Sequence, residues 1–353
     1  MKLHIVAPDI RAGDAVGNHC LYLADALPAH GFSVAMYAQR HNIDEGGRIL
    51  DVSRLLTDEP PAEGDLILLS FSTFQPRLAA LMDLPCRKIA YFHGVTPVEL
   101  LLEHDPAAAY WSSRALLQLP MLAGCEHLIA NSQWNLTELI RHLPAGSAIP
   151  DTSVIPPITP DMPLLGRTPR AQKTPTTPLR VLIVGRMAPH KRVEDGIRMA
   201  AQLRALGVPI VVDIVGSTTS PDYLSFLQSV VKSLDMEQSV HFRGHVSDDT
   251  LSQCFLDADV LLTCSMHEGF CIPVLEAMQL GIPNLLRRGT AASEVAAGAC
   301  AEFSTVDGGA RELMELATNS TRRAHLSAAG QARAKELIRE SDVLRLVAIV
   351  HER

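Results

Sequence analysis

Twelve consecutive residues carry the strongest chemical signal in this chain: His267-Glu268-Gly269-Phe270-Cys271-Ile272-Pro273-Val274-Leu275-Glu276-Ala277-Met278. An apolar β-rich run, Val260–Cys264, ends just before them, and Pro273 suits the first turn of a helix. Such a strand–loop–helix turns the free N–H groups and partial positive charge of the helix start towards the space beyond the strand, which makes an anion site. Gly269 lets a phosphate approach the loop backbone closely. Glu268 and Glu276, eight positions apart, bracket that site with two carboxylates. A plain surface turn would explain any one of these residues but not the composite.

A second segment, Val184-Gly185-Arg186-Met187-Ala188-Pro189-His190-Lys191-Arg192, follows another apolar run directly. Gly185 permits a tight strand-to-helix turn. An Arg can grip phosphate oxygens with two N–H groups, and a Lys adds a compact point charge. The glycines of a Walker loop are missing. On its own the segment could equally be a solvated basic turn.

The elements that must position these segments follow from periodicity. Short apolar runs alternate with helical patterns, which indicates parallel sheets with crossover helices. Strands are expected at Leu3–Ala7, Ser33–Tyr37, Leu66–Ser70, Ile89–Phe92 and Leu128–Asn131. A helix is read from Cys20, Leu23, Ala24 and Leu27, closed by Pro28 and Gly31. A proline-crowded stretch, Pro156 to Pro178, reads as a linker. The alternation then restarts at Arg180–Val184, and the tail from Arg322 to His351 is helical with a break near Glu340-Ser341-Asp342. The expected division is an N-terminal Rossmann-like domain over 1–158, a linker over 159–178 and a C-terminal Rossmann-like domain over 179–335. A last helix, 336–353, is expected to pack back on the first domain.

Bulk properties narrow the function. The chain has 353 residues and a net charge of −8, and neither half is basic, so nucleic acid is not an expected partner. No apolar run reaches the roughly 18 residues of a membrane helix. The opening run breaks at Pro8, too short for a signal-peptide core. The expectation is a cytoplasmic chain with at most peripheral contact at the inner membrane face. The seven cysteines lack metal-site spacing, including Cys264 and Cys271, and suit a reduced fold. Asp257-Ala258-Asp259 spells Asp-x-Asp, but at a helix end leading into a buried strand it is expected to cap a junction. No metal and no cofactor are expected.

The segment around Glu268 resembles the Glu-x₇-Glu motif of glycosyltransferase family 4, retaining enzymes with the GT-B fold of two Rossmann-like domains facing across a cleft. The resemblance implies that Glu268 lies at the transferred sugar and Glu276 at the ribose of the nucleotide. Gly269 and Phe270 would then approach the pyrophosphate and Ile272 the nucleotide. The segment after Gly185 is similar to the family's Gly-Arg-x-x-x-x-Lys, whose role at the pyrophosphate falls on Arg186 and Lys191. Where the family commonly has Gly, this chain has Cys271. Gly13-Asp14-Ala15-Val16-Gly17-Asn18 resembles a family branch with Asp-Ala-Ile-Gly-Asn, which assigns Gly17 to the phosphates with Asn18 in support. By the same resemblance His93 lies near the reacting sugar, Gly216 reads the base through its backbone, and Ser132 and Glu294 are supporting residues.

The resemblance implies a metal-independent transfer from a UDP-, GDP- or ADP-sugar to a glycan or glycolipid acceptor, in bacterial surface-polysaccharide or lipopolysaccharide assembly. Two alternatives stay open: a GT-B-type sugar-nucleotide epimerase or hydrolase, and a non-catalytic nucleotide-sugar binding partner. A dinucleotide dehydrogenase is not expected, because no Gly-x-Gly-x-x-Gly opens either half.

Overall fold

The computed structural model describes residues 1–11, 13–42, 47–157, 178–218 and 220–351. The expected linker, 159–178, lies outside these residues except for Pro178. The chain divides into two compact units: Met1–Val95, Tyr110–Pro160 and Ile338–Arg353 form one, and Thr96–Ala109 with Asp161–Leu337 the other.

The sheet of the first unit contains β1 (Lys2–Ile10), β2 (Ser33–His41), β3 (Ile49–Asp51), β4 (Leu66–Phe71), β5 (Arg87–Phe92), β6 (His127–Ala130) and β7 (Asp151–Val154). Between them run α1 (Ala15–Ala26), α2 (Arg54–Thr57), α3 (Leu78–Met82), α4 (Pro106–Leu116) and α5 (Gln133–His142). All seven strands are parallel, in the order β3-β2-β1-β4-β5-β6-β7. Every residue of β4 and β6 is buried, as expected when both faces of a parallel sheet are covered. Alternate residues of β1 feed two cores: Leu3, Ile5 and Ala7 one, Val6 the other. Asp14 caps α1 by accepting from the Val16 N–H. Cys20, Leu23 and Leu27 then fall on one buried face.

The second unit has β8 (Leu179–Val184), β9 (Ile210–Val215), β10 (Val240–Gly244), β11 (Val260–Thr263), β12 (Asn284–Arg287) and β13 (Ala301–Phe303). Its helices are α6 (Val193–Ala205), α7 (Pro221–Ser233), α8 (Asp248–Asp257), α9 (Ile272–Gln279), α10 (Ala291–Ala296), α11 (Val306–Thr318) and α12 (Ser320–Glu340). The sheet is again parallel, ordered β10-β9-β8-β11-β12-β13. The side chains of α6 pack into the core on one face, with Ile197 and Leu203, and those of α9 into the core on the other, with Val274 and Met278.

The helical tail does break at Ser341-Asp342, where Asp342 accepts from the Leu344 N–H and starts α13 (Val343–His351). Leu326 and Leu337 of α12 join the cores of the second unit. Leu346, Ile349 and Val350 of α13 join a core of the first unit, and Arg87 Nη1 donates to the Val350 carbonyl at 2.9 Å. Periodicity did not reveal β3, β7, β12 or β13. β3 has three residues, and β7, Asp-Thr-Ser-Val, is polar and lies at the sheet edge. Asp259 is placed as expected, at the start of β11, accepting from the Arg180 N–H at 2.7 Å.

Leu346 is fully buried and Leu344 is 53% exposed on the same helix. Leu346→Ala should therefore lower stability by about 2–5 kcal/mol, and Leu344→Ala by no more than about 0.5 kcal/mol. Urea unfolding of both variants checks this; equal effects would mean α13 is not docked.

Candidate functional site

The second sheet reverses its order between β8 and β11. The helices after these strands lie on opposite faces, so a crevice opens at the strands' carboxyl ends, the usual ligand position in such sheets. A small pocket sits there, lined by residues including Gly185, Arg186, Lys191, Thr263, Cys264 and Ser265.

The turn after β8 is shaped by close backbone approach. Gly185 N–H donates to the Val215 carbonyl at 2.9 Å, and Met187 N–H to that of Ser217 at 2.8 Å. Gly216 has φ 143°, and a Cβ on it would lie 2.0 Å from the Gly185 oxygen, so no other residue fits. The Gly216 N–H donates to the Gly244 carbonyl, which leaves only its carbonyl available to a base. Arg186 is exposed, and its guanidinium has no partner among the described residues. Lys191 instead points across the crevice, and its Nζ donates to Glu268 Oε1 at 2.7 Å.

Glu268 is buried in the loop after β11. Burial pushes its carboxyl up, but the adjacent Lys191 charge and donation from Lys191 and Ser265 outweigh this and hold it below the ordinary value. Ser265 Oγ donates to the same Oε1 at 2.6 Å. Oε2 accepts from no described residue. The N–H groups of Phe270, Cys271 and Ile272, at the entry to α9, also meet no described acceptor. Three successive amides without a described acceptor, in the loop that also carries Glu268, suit an anion with several oxygens. Cys271 has φ 76°, a left-handed conformation that is strained for a side-chain-bearing residue. Its position explains why a glycine is common there in the family it resembles.

Glu276, half-buried on α9, has no partner among the described residues. Burial, reinforced by Asp248, raises its carboxyl to about 7.

An ion network lies beneath the turn. Asp195 accepts from Arg192, Arg198 and Arg287, the last at 2.5 Å. Arg287 Nε also donates to the Cys264 carbonyl at 2.8 Å, and the Met266 N–H to the His190 carbonyl at 2.8 Å. The Glu268 loop is thus tied to the Lys191 turn by backbone as well as side chains. Tyr223 Oη donates to Glu194 at 2.5 Å, and Arg192, at φ 50°, pairs with Glu194 at 3.0 Å. None of Ser265, Asp195 and Arg287 was singled out from sequence. A charged Arg287 closing the buried run Asn284-Leu285-Leu286 was the one available hint.

In the first unit, His93 directly follows β5 and is buried, with Nε2 sharing a hydrogen bond of 2.9 Å with Ser70 Oγ. Burial and the neighbouring His19 hold its pKa well below the ordinary value, so the ring is neutral. Asn131 Nδ2 donates to the His93 carbonyl at 3.4 Å. Ser132 caps α5 by accepting from the Asn135 N–H, a structural task. A Cβ on Gly17 would lie 2.0 Å from the Arg11 oxygen, so the space its missing side chain frees is filled by the chain itself. Asn18 Oδ1 accepts from the Gly13 N–H at 3.0 Å. Glu294 is exposed in the first turn of α10.

Residues 167–333, just under half the chain, match the model of the family described as Glycosyl transferases group 1. The chain is 27% identical over 157 residues to O-antigen chain mannosyltransferase B of Escherichia coli, a match covering 44% of this chain and 41% of that protein. Its structure resembles that of HepE from Anabaena, solved with UDP and glucose, with TM-score 0.75, 17% identity and 99% of both chains covered. It also resembles WaaG, a glycosyltransferase involved in lipopolysaccharide biosynthesis, with TM-score 0.75 and 15% identity over 99% of this chain and 100% of that one. Likeness over the whole length identifies the fold as GT-B, with two Rossmann-like parallel sheets and a helical tail.

Removing Lys191 should leave an unpaired buried carboxylate. Lys191→Ala is therefore expected to cost about 3–5 kcal/mol near neutral pH. The sign then changes with acid. A lowered carboxyl contributes stability above the ordinary Glu value of about 4.3, lost as pH falls through the folded value. Without Lys191 burial dominates, the folded carboxyl rises above its unfolded value, and the variant recovers relative to wild type on acidification. Urea unfolding at about pH 8 and about pH 5 tests this, with Glu268→Gln expected to rescue Lys191→Ala. An equal loss at both pH values would rule out the buried pair.

Proposed function

We propose that this chain transfers a sugar from a nucleotide-diphosphate sugar to a hydroxyl of a glycan or glycolipid, with retention of configuration and without a metal. The observation that carries this reading is the convergence at the β8–β11 crevice. Arg186 and Lys191 line it, Lys191 pairs with the ionised, buried Glu268, and the Glu268 loop carries three amides without a described acceptor. The family model covers this same region. Relatives named for O-antigen and lipopolysaccharide synthesis support a role in bacterial surface-polysaccharide assembly, and the UDP complex of HepE supports a nucleoside-diphosphate donor.

The chemistry follows from charge. As the bond between the sugar's anomeric carbon and the β-phosphate oxygen breaks, negative charge grows on the phosphate, and Arg186, Lys191 and the amides at 270–272 stabilise it. The acceptor oxygen attacks the anomeric carbon from the face the phosphate leaves, and its proton passes to the departing phosphate oxygen. This accounts for retention without a covalent nucleophile. Glu268 Oε1 holds Lys191 and Ser265, which leaves Oε2 to accept from a sugar hydroxyl. His93, being neutral, would act at the sugar as a hydrogen-bond partner and not as a charge. Glu276 would accept from the ribose hydroxyls.

Treating the protein with EDTA and supplying UDP-, GDP- and ADP-sugars with glycan acceptors tests the transfer reading, with the product anomer read by NMR. Turnover should persist, and Glu268→Ala should lower kcat while nucleoside-diphosphate affinity stays near normal. Activity restored only by added Mg²⁺, or an inverted product, would overturn the mechanism.

The Glu276 assignment has its own pH signature. Ribose hydroxyls need the ionised carboxylate, so affinity for UDP or GDP should weaken by up to about tenfold per pH unit below about 7. Glu276→Gln should weaken binding and flatten this dependence. A profile unchanged by Glu276→Gln would move the ribose elsewhere.

A further inference from the structure

Both tryptophans of this chain are exposed, Trp111 at 49% and Trp134 at 37%, although tryptophan is usually largely buried. Each is placed at the ligand-binding end of the first sheet. Trp134 begins α5 straight after β6, and Trp111 stacks on Phe74, three residues beyond the end of β4. The Phe74 and Trp111 rings lie 5.6 Å apart and 27° from parallel. The Arg114 guanidinium carbon lies 5.4 Å from the centre of Phe74, and Tyr110 meets Trp111 edge-on at 5.0 Å.

This ledge is held rigid from behind. Gln118 Nε2 donates to the Gln75 carbonyl at 2.7 Å, and the Gln75 N–H donates back to Gln118 Oε1 at 2.9 Å. Trp111 and Arg114 lie one turn apart on α4 and Gln118 lies two residues beyond its end, so the clamp ties the loop that carries Phe74 to the chain segment that carries Trp111 and Arg114. An exposed indole, backed by Phe74 and beside the exposed Arg114 guanidinium, suits a pyranose ring. The ring's C–H face packs on the aromatic face, and its hydroxyls accept from the cation. Exposed Leu117 and Tyr110 could instead suit a lipid surface, but the net charge of −8 opposes an anionic bilayer.

We propose that Phe74, Trp111 and Arg114 form a stacking subsite for a pyranose ring of the acceptor. This rests on the sugar-transfer reading and names where its acceptor is held. With two tryptophans in the chain, 5-fluorotryptophan labelling gives two fluorine resonances, assigned with Trp111→Phe and Trp134→Phe. The probes are methyl α-D-mannopyranoside, methyl β-D-glucopyranoside and α-linked mannobiose, each titrated to tens of millimolar. The Trp111 resonance should shift saturably with at least one of them. Phe74→Ala should weaken that binding roughly three- to tenfold, with UDP and GDP affinity unchanged. A Trp111 signal unmoved by every sugar, in protein that still binds a nucleoside diphosphate, overturns the subsite and leaves the transfer reading standing. If none of UDP, GDP and ADP binds, the transfer reading fails with it. A response to phosphatidylethanolamine–phosphatidylglycerol vesicles but to no sugar makes the ledge a membrane contact and also overturns the proposal.

Discussion

The buried ion pair between Lys191 and Glu268 joins two loops that leave neighbouring strands towards opposite faces of the sheet. β8 and β11 pair through Val181 and Leu182, so their carboxyl ends lie side by side. The crossovers that follow then diverge, and nothing in the sheet closes the gap. A cation from one loop and a carboxylate from the other span it. Paired charges in so buried a place contribute little net stability. What the pair does secure is direction: Oε1 of Glu268 is occupied, Oε2 is left open, and the Lys191 ammonium is kept at the crevice, not in solvent. The lower network, Asp195 to Arg287 to the Cys264 carbonyl, keeps both loops in position for this contact.

Glycine has two uses near these loops. A glycine beside a phosphate site is ordinarily read as room for the ligand. Gly216 and Gly17 make room for the protein instead: Gly216 for the Gly185 carbonyl, and Gly17 for that of Arg11. Such contacts set how near the turns come to the strand ends. Backbone packing alone therefore accounts for a glycine at both positions.

Much of this was legible in the sequence because it is local. Gly185 to Lys191 and Glu268 to Glu276 are short spans in which turn, charge and helix start stand together, and the fully buried strands announce themselves as apolar runs. The Lys191–Glu268 contact left no such trace, since its partners are 77 positions apart and each had a separate ligand role to account for it. Asp195 reads as an ordinary acidic residue in a first helical turn. Its three arginine partners come from the start of its own helix and from a strand 92 residues on. The destination of Thr96–Ala109 is also tertiary: the His104 ring stacks on Phe226, and the Ser220 hydroxyl donates to the His104 carbonyl, placing this stretch with the second unit. Cys271 shows a related limit. Its left-handed backbone is dictated by the turn, and the residue type there gives no warning of it.

Of the two carboxylates of the motif, Glu268 is buried and Glu276 half-buried, and their environments push them in opposite directions. Glu268 has a cation and a hydroxyl and is held ionised; Glu276 has no described partner and is raised to about 7. Divergence within a pair of acids is a mark of divided roles. A carboxylate already ionised can respond at once to charge developing on a sugar. One that is neutral in part must give up its proton to accept from a diol, so ligand binding and ionisation are coupled. Below about 7 the protonated form of Glu276 favours the empty fold, while above it the ionised form favours the liganded one. Burial makes the empty site costly to ionise, and in the proposed assignment hydroxyl donors from a ribose would offset that cost. The same desolvation that destabilises the unliganded carboxylate would thereby make it selective for a partner that brings two donors.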